Sequence, residues 1–148
     1  MWRIKEYKKM FEVESEIDLK ELKKSYRKLM KDWHPDKFLD EDKKAEAELQ
    51  SQKIIAANHF LVSIAPETKV AKHDEYQATI TKSKISDYDH KGSLMTVTFS
   101  DGNTYEYFGV SSKLFGQFHN SDIQVRFGKR KIFNAFLYRK TQKALKEE

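Results

Sequence analysis

Prolines stand at only two of the 148 positions, Pro35 and Pro66, and each closes a stretch whose apolar residues recur at helical spacing. Proline fixes its own φ and biases the preceding residue away from helix, so it punctuates a chain firmly. The stretch before Pro35 covers residues 18–33, with Leu19, Leu22, Tyr26, Leu29, Met30 and Trp33 along one helical face. Asp18 is placed to cap its start, with Glu21 three residues on in the manner of a capping box. The opposite face carries Lys20, Lys23, Lys24, Arg27, Lys28 and Lys31. Pro66 ends a longer stretch over residues 40–64, where Ala45, Leu49, Ala56 and Phe60 define a face with Ile55 and Val62 beside it. A shorter helix over residues 3–11 offers Ile4, Tyr7, Met10 and Phe11. Two long helices joined by a stiff turn predict an antiparallel hairpin that buries their apolar stripes together.

After Ala65 the pattern changes. Residues 66–82 are polar and read as a short helix over 67–76 followed by a linker over 77–82. Beyond them the period becomes two. Met95, Val97 and Phe99 alternate with Thr96 and Thr98, and Tyr105 and Tyr107 alternate with Glu106 and Phe108. Asp101-Gly102 between these runs is a strong hairpin signal. An earlier strand is expected over 84–88, turning at 89–92, and Ser111 or Ser112 is placed to cap a short helix holding Leu114, Phe115 and Phe118. The end of the chain reads as an amphipathic helix whose Ile132, Phe133, Phe136 and Leu137 cover the sheet. The expected fold is therefore an all-α module over residues 1–76, a linker over 77–82, and a small α+β module over 83–148. That second module has a three-stranded antiparallel sheet and a basic C-terminal helix.

Charge divides the chain in the same way. Residues 1–75 hold 16 Lys and Arg against 16 Asp and Glu, whereas residues 76–148 hold 12 against 7, which is the whole net charge of +5. Cysteine is absent, which excludes disulfides and every thiolate site. The first residues form no apolar signal core and no apolar run approaches the roughly 20 residues that cross a bilayer, so a cytoplasmic protein without membrane contact is expected.

The tripeptide His34-Pro35-Asp36 follows the basic face directly. An acid held clear of the fold by proline, next to a positive stripe, is shaped for a partner with an acidic groove and one basic socket. His34 and Asp36 could share a metal, but His59, His73, His90 and His119 supply no further ligands at supporting spacing. Tyr7 and Phe11, the run Leu-Lys-Lys-Ser-Tyr-Arg-Lys-Leu-Met-Lys-Asp-Trp-His-Pro-Asp-Lys and the long helix after it resemble the J domain of DnaJ-type co-chaperones. The resemblance covers about residues 3–76. It implies a protein without catalysis of its own that docks on a DnaK-type chaperone and triggers that chaperone's ATP hydrolysis. His34, Pro35 and Asp36 would be the trigger, and Lys23, Arg27, Lys28 and Lys31 the docking surface.

In the second half, Tyr-Glu-Tyr-Phe-Gly-Val at 105–110, the preceding Thr-Val-Thr-Phe-Ser-Asp-Gly and the following Ser-Ser-Lys-Leu-Phe are similar to the KTSC domain, over about residues 82–133. That family has been suspected of binding RNA. From Ile123 to Lys146 there are eight cations (Arg126, Lys129, Arg130, Lys131, Arg139, Lys140, Lys143 and Lys146) and no acid, interleaved with Phe127, Phe133, Phe136 and Tyr138. Cations neutralise phosphates and exposed rings stack on unpaired bases. Tyr105, Tyr107, Arg126, Lys129, Arg130, Lys131, Arg139 and Lys140 are therefore candidates for contact with RNA or single-stranded DNA, a protein client being the other expected partner. Two functions follow: a co-chaperone directed by its second module, or a nucleic-acid-binding adaptor. No candidate nucleophile, glycine-rich phosphate loop or metal cluster points to an enzyme, and no cofactor is implied.

Overall fold

A computed structural model describes residues 2–141. They form two compact units that divide between Val70 and Ala71.

The first unit is helical. Helix α1 (Trp2–Met10) ends in a Schellman motif: the Glu12 N–H donates to the Lys9 carbonyl at 3.1 Å and the Val13 N–H to that of Lys8 at 2.8 Å. This requires a left-handed residue, and Glu12 takes that place at φ 58°. Helix α2 (Leu19–Trp33) starts where Asp18 accepts the Lys20 N–H at 2.9 Å, as its cap position predicts. A single 3-10 turn (Pro35–Lys37) leads to α3 (Glu41–Ile64), capped by Asp40 on the Lys43 N–H. Helix α4 (Pro66–Ala71) begins with proline at its first position, where no N–H is needed. Its Glu67 carboxylate accepts the Leu19 N–H at 2.8 Å, tying this turn to the start of α2.

Helices α2 and α3 pack as the expected hairpin, with α1 against α3. The buried face of α3 differs from the expected one. Ala47, Ser51, Ile54, Ala57, Leu61 and Ile64 are buried together with Phe60, whereas Ala45, Leu49 and Ala56 face solvent. Both sides of this helix are rich in alanine and aliphatic residues, so spacing alone does not choose between them. Tyr7 meets Phe60 edge-on with ring centroids 5.2 Å apart, and the Arg3 guanidinium lies 4.6 Å over the same ring.

The second unit opens with α5 (His73–Lys82). Residues 77–82, expected as a linker, are thus the second half of a helix, because Tyr76, Thr79 and Ile80 supply a buried stripe. Strands β1 (Ile85–Lys91), β2 (Leu94–Phe99), β3 (Thr104–Phe108) and β4 (Leu137–Lys140) form one antiparallel sheet in the order β1-β2-β3-β4. Between β3 and β4 lie α6 (Ser112–His119), capped by Ser111, and α7 (Gln124–Lys131). The α+β class is as expected, but the sheet has a fourth strand. Residues 137–140, expected in a terminal helix, instead pair with β3, placing Tyr138 opposite Tyr107 and Arg139 opposite Glu106.

Met95, Val97, Phe99, Tyr105 and Tyr107 point from the sheet into a core shared with Tyr76, Ile80, Val110, Phe118, Ile132 and Phe133. Glycine at 128 is required by this packing, since a Cβ there would lie 2.4 Å from the Phe133 ring. Among the described residues no helix is long and apolar enough to cross a membrane.

Candidate functional site: an exposed His-Pro-Asp turn

Proline ends α2 at Trp33 by turning His34 to extended backbone (φ −65°, ψ 131°). The chain then closes tightly: the Lys37 N–H donates to the His34 carbonyl at 3.0 Å and the Phe38 N–H to that of Pro35 at 3.1 Å. The His34 side chain caps this turn, its Nδ1 accepting the Asp36 N–H at 3.2 Å. A lone pair on Nδ1 requires the tautomer with its proton on Nε2. The Asp36 carboxylate also approaches Nδ1, but 3.7 Å is too long for a hydrogen bond, and the pair would attract only with the ring protonated. The carboxylate is left to solvent, with 85% of the Asp36 side chain exposed.

Two contacts anchor the turn to the hairpin. Phe38 lies against Trp33, ring centroids 6.4 Å apart, and the Ser51 hydroxyl of α3 donates to the Trp33 carbonyl at 2.9 Å. That second bond satisfies one of the carbonyls a helix leaves free at its C-terminus. Neither Phe38 nor Ser51 stood out in the sequence. The aromatic Phe38 just after the turn was the available sign, while Ser51 is revealed only by the fold.

Lys23, Arg27, Lys28 and Lys31 are all exposed on α2, and among the described residues none of them pairs with a carboxylate. At about 100° per residue the six cations of this helix fall within an arc of about 140°. Glu21 is paired with Lys24 at 3.7 Å on the solvent side. The fold thus brings an exposed acid on a fixed backbone and a cationic stripe to one helix and the turn that ends it. Among the described residues no cluster of histidines and carboxylates could hold a metal ion.

The candidates in the second unit are placed very differently. Tyr105 and Tyr107 are buried, so neither ring is available to stack on a base. Tyr107 lies in a hydrogen-bonded chain: the Tyr76 hydroxyl donates to the Phe133 carbonyl at 2.6 Å, which leaves the Tyr107 hydroxyl to donate to the Tyr76 oxygen at 2.9 Å. Burial pushes the hydroxyl pKa of Tyr76, Tyr105 and Tyr107 well above the ordinary value of 10.0, and that of Tyr138 upward too. Tyr138 stacks on Tyr76 with centroids 3.9 Å apart.

Arg139 and Lys140 are also committed. Arg139 bonds the Glu106 carboxylate at 2.7 Å, both side chains largely buried, and Lys140 bonds Glu75 of α5. The Lys140 hydrogen bond holds the Glu75 carboxyl below its ordinary range. Among the described residues only Arg126, Lys129, Arg130 and Lys131 of the expected set, all on α7, are both exposed and without a carboxylate partner, since Lys140 is exposed but paired. Lys143 and Lys146 lie outside the described residues.

Comparison with known proteins follows this division. The DnaJ domain profile matches residues 6–69 and the KTSC domain profile residues 82–136. DnaJ homolog subfamily C member 21 of Danio rerio is 34% identical over 95 residues, which is 64% of this chain but 16% of that protein. This chain therefore spans a small part of the length of that relative. No solved structure matches the chain. The chain thus carries a DnaJ domain over residues 6–69 followed by a KTSC domain over residues 82–136.

Proposed function

We propose that this chain is a co-chaperone that docks on a DnaK-type chaperone through α2 and the His-Pro-Asp turn and stimulates its ATP hydrolysis. One observation carries the reading: the fold holds the backbone of the turn by five contacts yet leaves the Asp36 carboxylate in water. An acid on a fixed backbone gives up little main-chain freedom when a basic group of the partner receives it. Lys23, Arg27, Lys28 and Lys31 attract an acidic surface and act mainly on the rate of encounter. The chain accelerates its partner's reaction and has no chemistry of its own in this reading.

Steady-state ATP hydrolysis by a DnaK-type chaperone tests it. The parent chain is expected to stimulate, and Asp36→Asn to abolish stimulation. Equal stimulation by parent and variant overturns the reading. Reversing charge at Arg27 and Lys28, or raising salt, is expected to slow association with less effect on dissociation.

A second reading is supported by the exposed cations of α7. Arg126, Lys129, Arg130 and Lys131 could neutralise about four phosphates of a single-stranded nucleic acid, giving a log–log salt slope of roughly −3. The buried tyrosines and the paired Arg139 and Lys140 take no part in it. Three of the four cations also lie in the last turn of α7, where they complement the helix dipole. Titration of RNA at two salt concentrations tests this reading, and no binding at low salt would leave a protein client as the partner of this unit.

A further inference from the structure

Between the His-Pro-Asp turn and α3 stands a side chain that the fold does not use. Leu39 is 98% exposed. Phe38 (φ −112°, ψ 134°) and Asp40 (φ −74°, ψ 130°) are both extended, and along extended backbone successive side chains point to opposite sides. Phe38 is committed to Trp33, and Asp40 to the Lys43 N–H at 3.2 Å. Leu39 between them faces water, where leucine gains nothing from the fold of this chain.

A single exposed leucine is ordinary. Leu39 is set apart by its position and its fixed base. It stands three positions on from Asp36, so the two Cα atoms lie within about 11 Å. A standard interface takes about 800 Å² from each partner, a patch of roughly 16 Å radius. A partner centred on the Asp36 carboxylate therefore covers Leu39 as well. The 3-10 turn on one side and the capped start of α3 on the other hold its backbone, so its presentation is fixed before any encounter.

We infer that Leu39 is an apolar anchor of the docking surface, seated in an apolar depression of the DnaK-type ATPase beside the basic group that receives Asp36. The inference rests on the co-chaperone reading above. A rigidly presented apolar side chain that becomes fully desolvated at the centre of an interface has the character of a hot spot, and it loses little freedom on binding. The surrounding charges then set orientation and encounter rate, while Leu39 sets residence time.

Titration of the full chain into a DnaK-type chaperone, with ATP turnover as readout, tests this. Leu39→Ala is expected to raise the concentration giving half-maximal stimulation about tenfold, with the same plateau reached at high concentration. Leu39→Asp is expected to raise it further, and Leu39→Met to restore it. All three are expected to melt with the parent, because the side chain touches nothing in the fold. Superimposable curves for parent and Leu39→Ala, with Asp36→Asn inactive, overturn the anchor and leave the co-chaperone reading standing. A parent that does not stimulate at all overturns both.

Discussion

The residues by which each unit is most easily recognised lie in opposite environments. In the first unit His34 and Asp36 stand in solvent with Pro35 half-buried between them, and the contacts around them hold the backbone and leave the Asp36 carboxylate to water. In the second unit Tyr105 and Tyr107 are buried in the core, and Tyr107 belongs to a chain of hydroxyls that ends on the Phe133 carbonyl. A short motif can thus be retained by a partner or by the fold itself, and burial separates the two cases. An exposed motif predicts a large functional effect with little change in stability, whereas a buried one predicts the reverse.

Tyr107→Ala gives the largest effect. Removing a buried aromatic side chain costs about 3–5 kcal/mol, and here it also leaves the Tyr76 hydroxyl short of a donor. Hydrogen exchange is expected to show protection lost in β2 and β3. A variant that keeps that protection would mean that Tyr107 is dispensable to its core, and the contrast between the units would collapse.

Alkaline pH sharpens the same contrast. A tyrosine is charged once deprotonated, so burial that raises its pKa in the folded state favours the protonated fold. That contribution is complete below pH 10, the unfolded value, and is lost as pH rises above it. Each of Tyr76, Tyr105 and Tyr107 that stays neutral in the fold subtracts about 1.4 kcal/mol per pH unit in that range. Unfolding followed by tyrosinate absorbance is expected to show the hydroxyls ionising together with loss of structure. Ionisation near pH 10 with the fold intact would show that the rings are open to water.

The first unit was legible where one signal sufficed. Asp18, the apolar stripe of α2 and Pro35 agree with one another, and the helix, its cap and its end follow. Helix α3 was legible in extent but not in orientation. Ala45, Leu49 and Ala56 repeat as regularly as Ala47, Ile54 and Leu61, and the choice is made by where α2 packs, marked by Ser51 under the Trp33 carbonyl. In the second unit β4 has only four residues, too few for a period to declare itself, and its identity comes from pairing with β3. The candidate cations failed for a related reason. The partners Glu75 and Glu106 lie 65 and 33 residues from Lys140 and Arg139, so local charge counting reads bound cations as free.

A smaller effect is expected at Glu12, the non-glycine residue that the first unit holds at φ 58° among the described residues. Left-handed backbone costs a residue with a Cβ about 1–2 kcal/mol, part of which is offset by the greater freedom of glycine in the unfolded chain. Glu12→Gly is therefore expected to stabilise by about 0.5–1 kcal/mol, or a few degrees in melting temperature. Destabilisation would show that the Glu12 side chain makes a contribution larger than its backbone strain.

The smallest effect on stability is expected where the functional effect is greatest. Asp36→Asn keeps the backbone N–H that donates to His34 Nδ1, keeps the 3-10 turn, and alters a side chain that is 85% exposed. Surface changes of this kind usually stay within about 0.5 kcal/mol. The variant is therefore expected to melt with the parent while stimulation of the chaperone is lost. His34→Ala removes the acceptor of that N–H as well, yet the Lys37 and Phe38 bonds and the Trp33–Phe38 contact remain, so its cost is expected to stay below about 1 kcal/mol. Thermal melts of the two variants beside the parent decide the matter. A loss of 2 kcal/mol or more in either would make the turn a structural joint, and the exposed motif of the first unit would then be kept for the same reason as the buried tyrosines of the second.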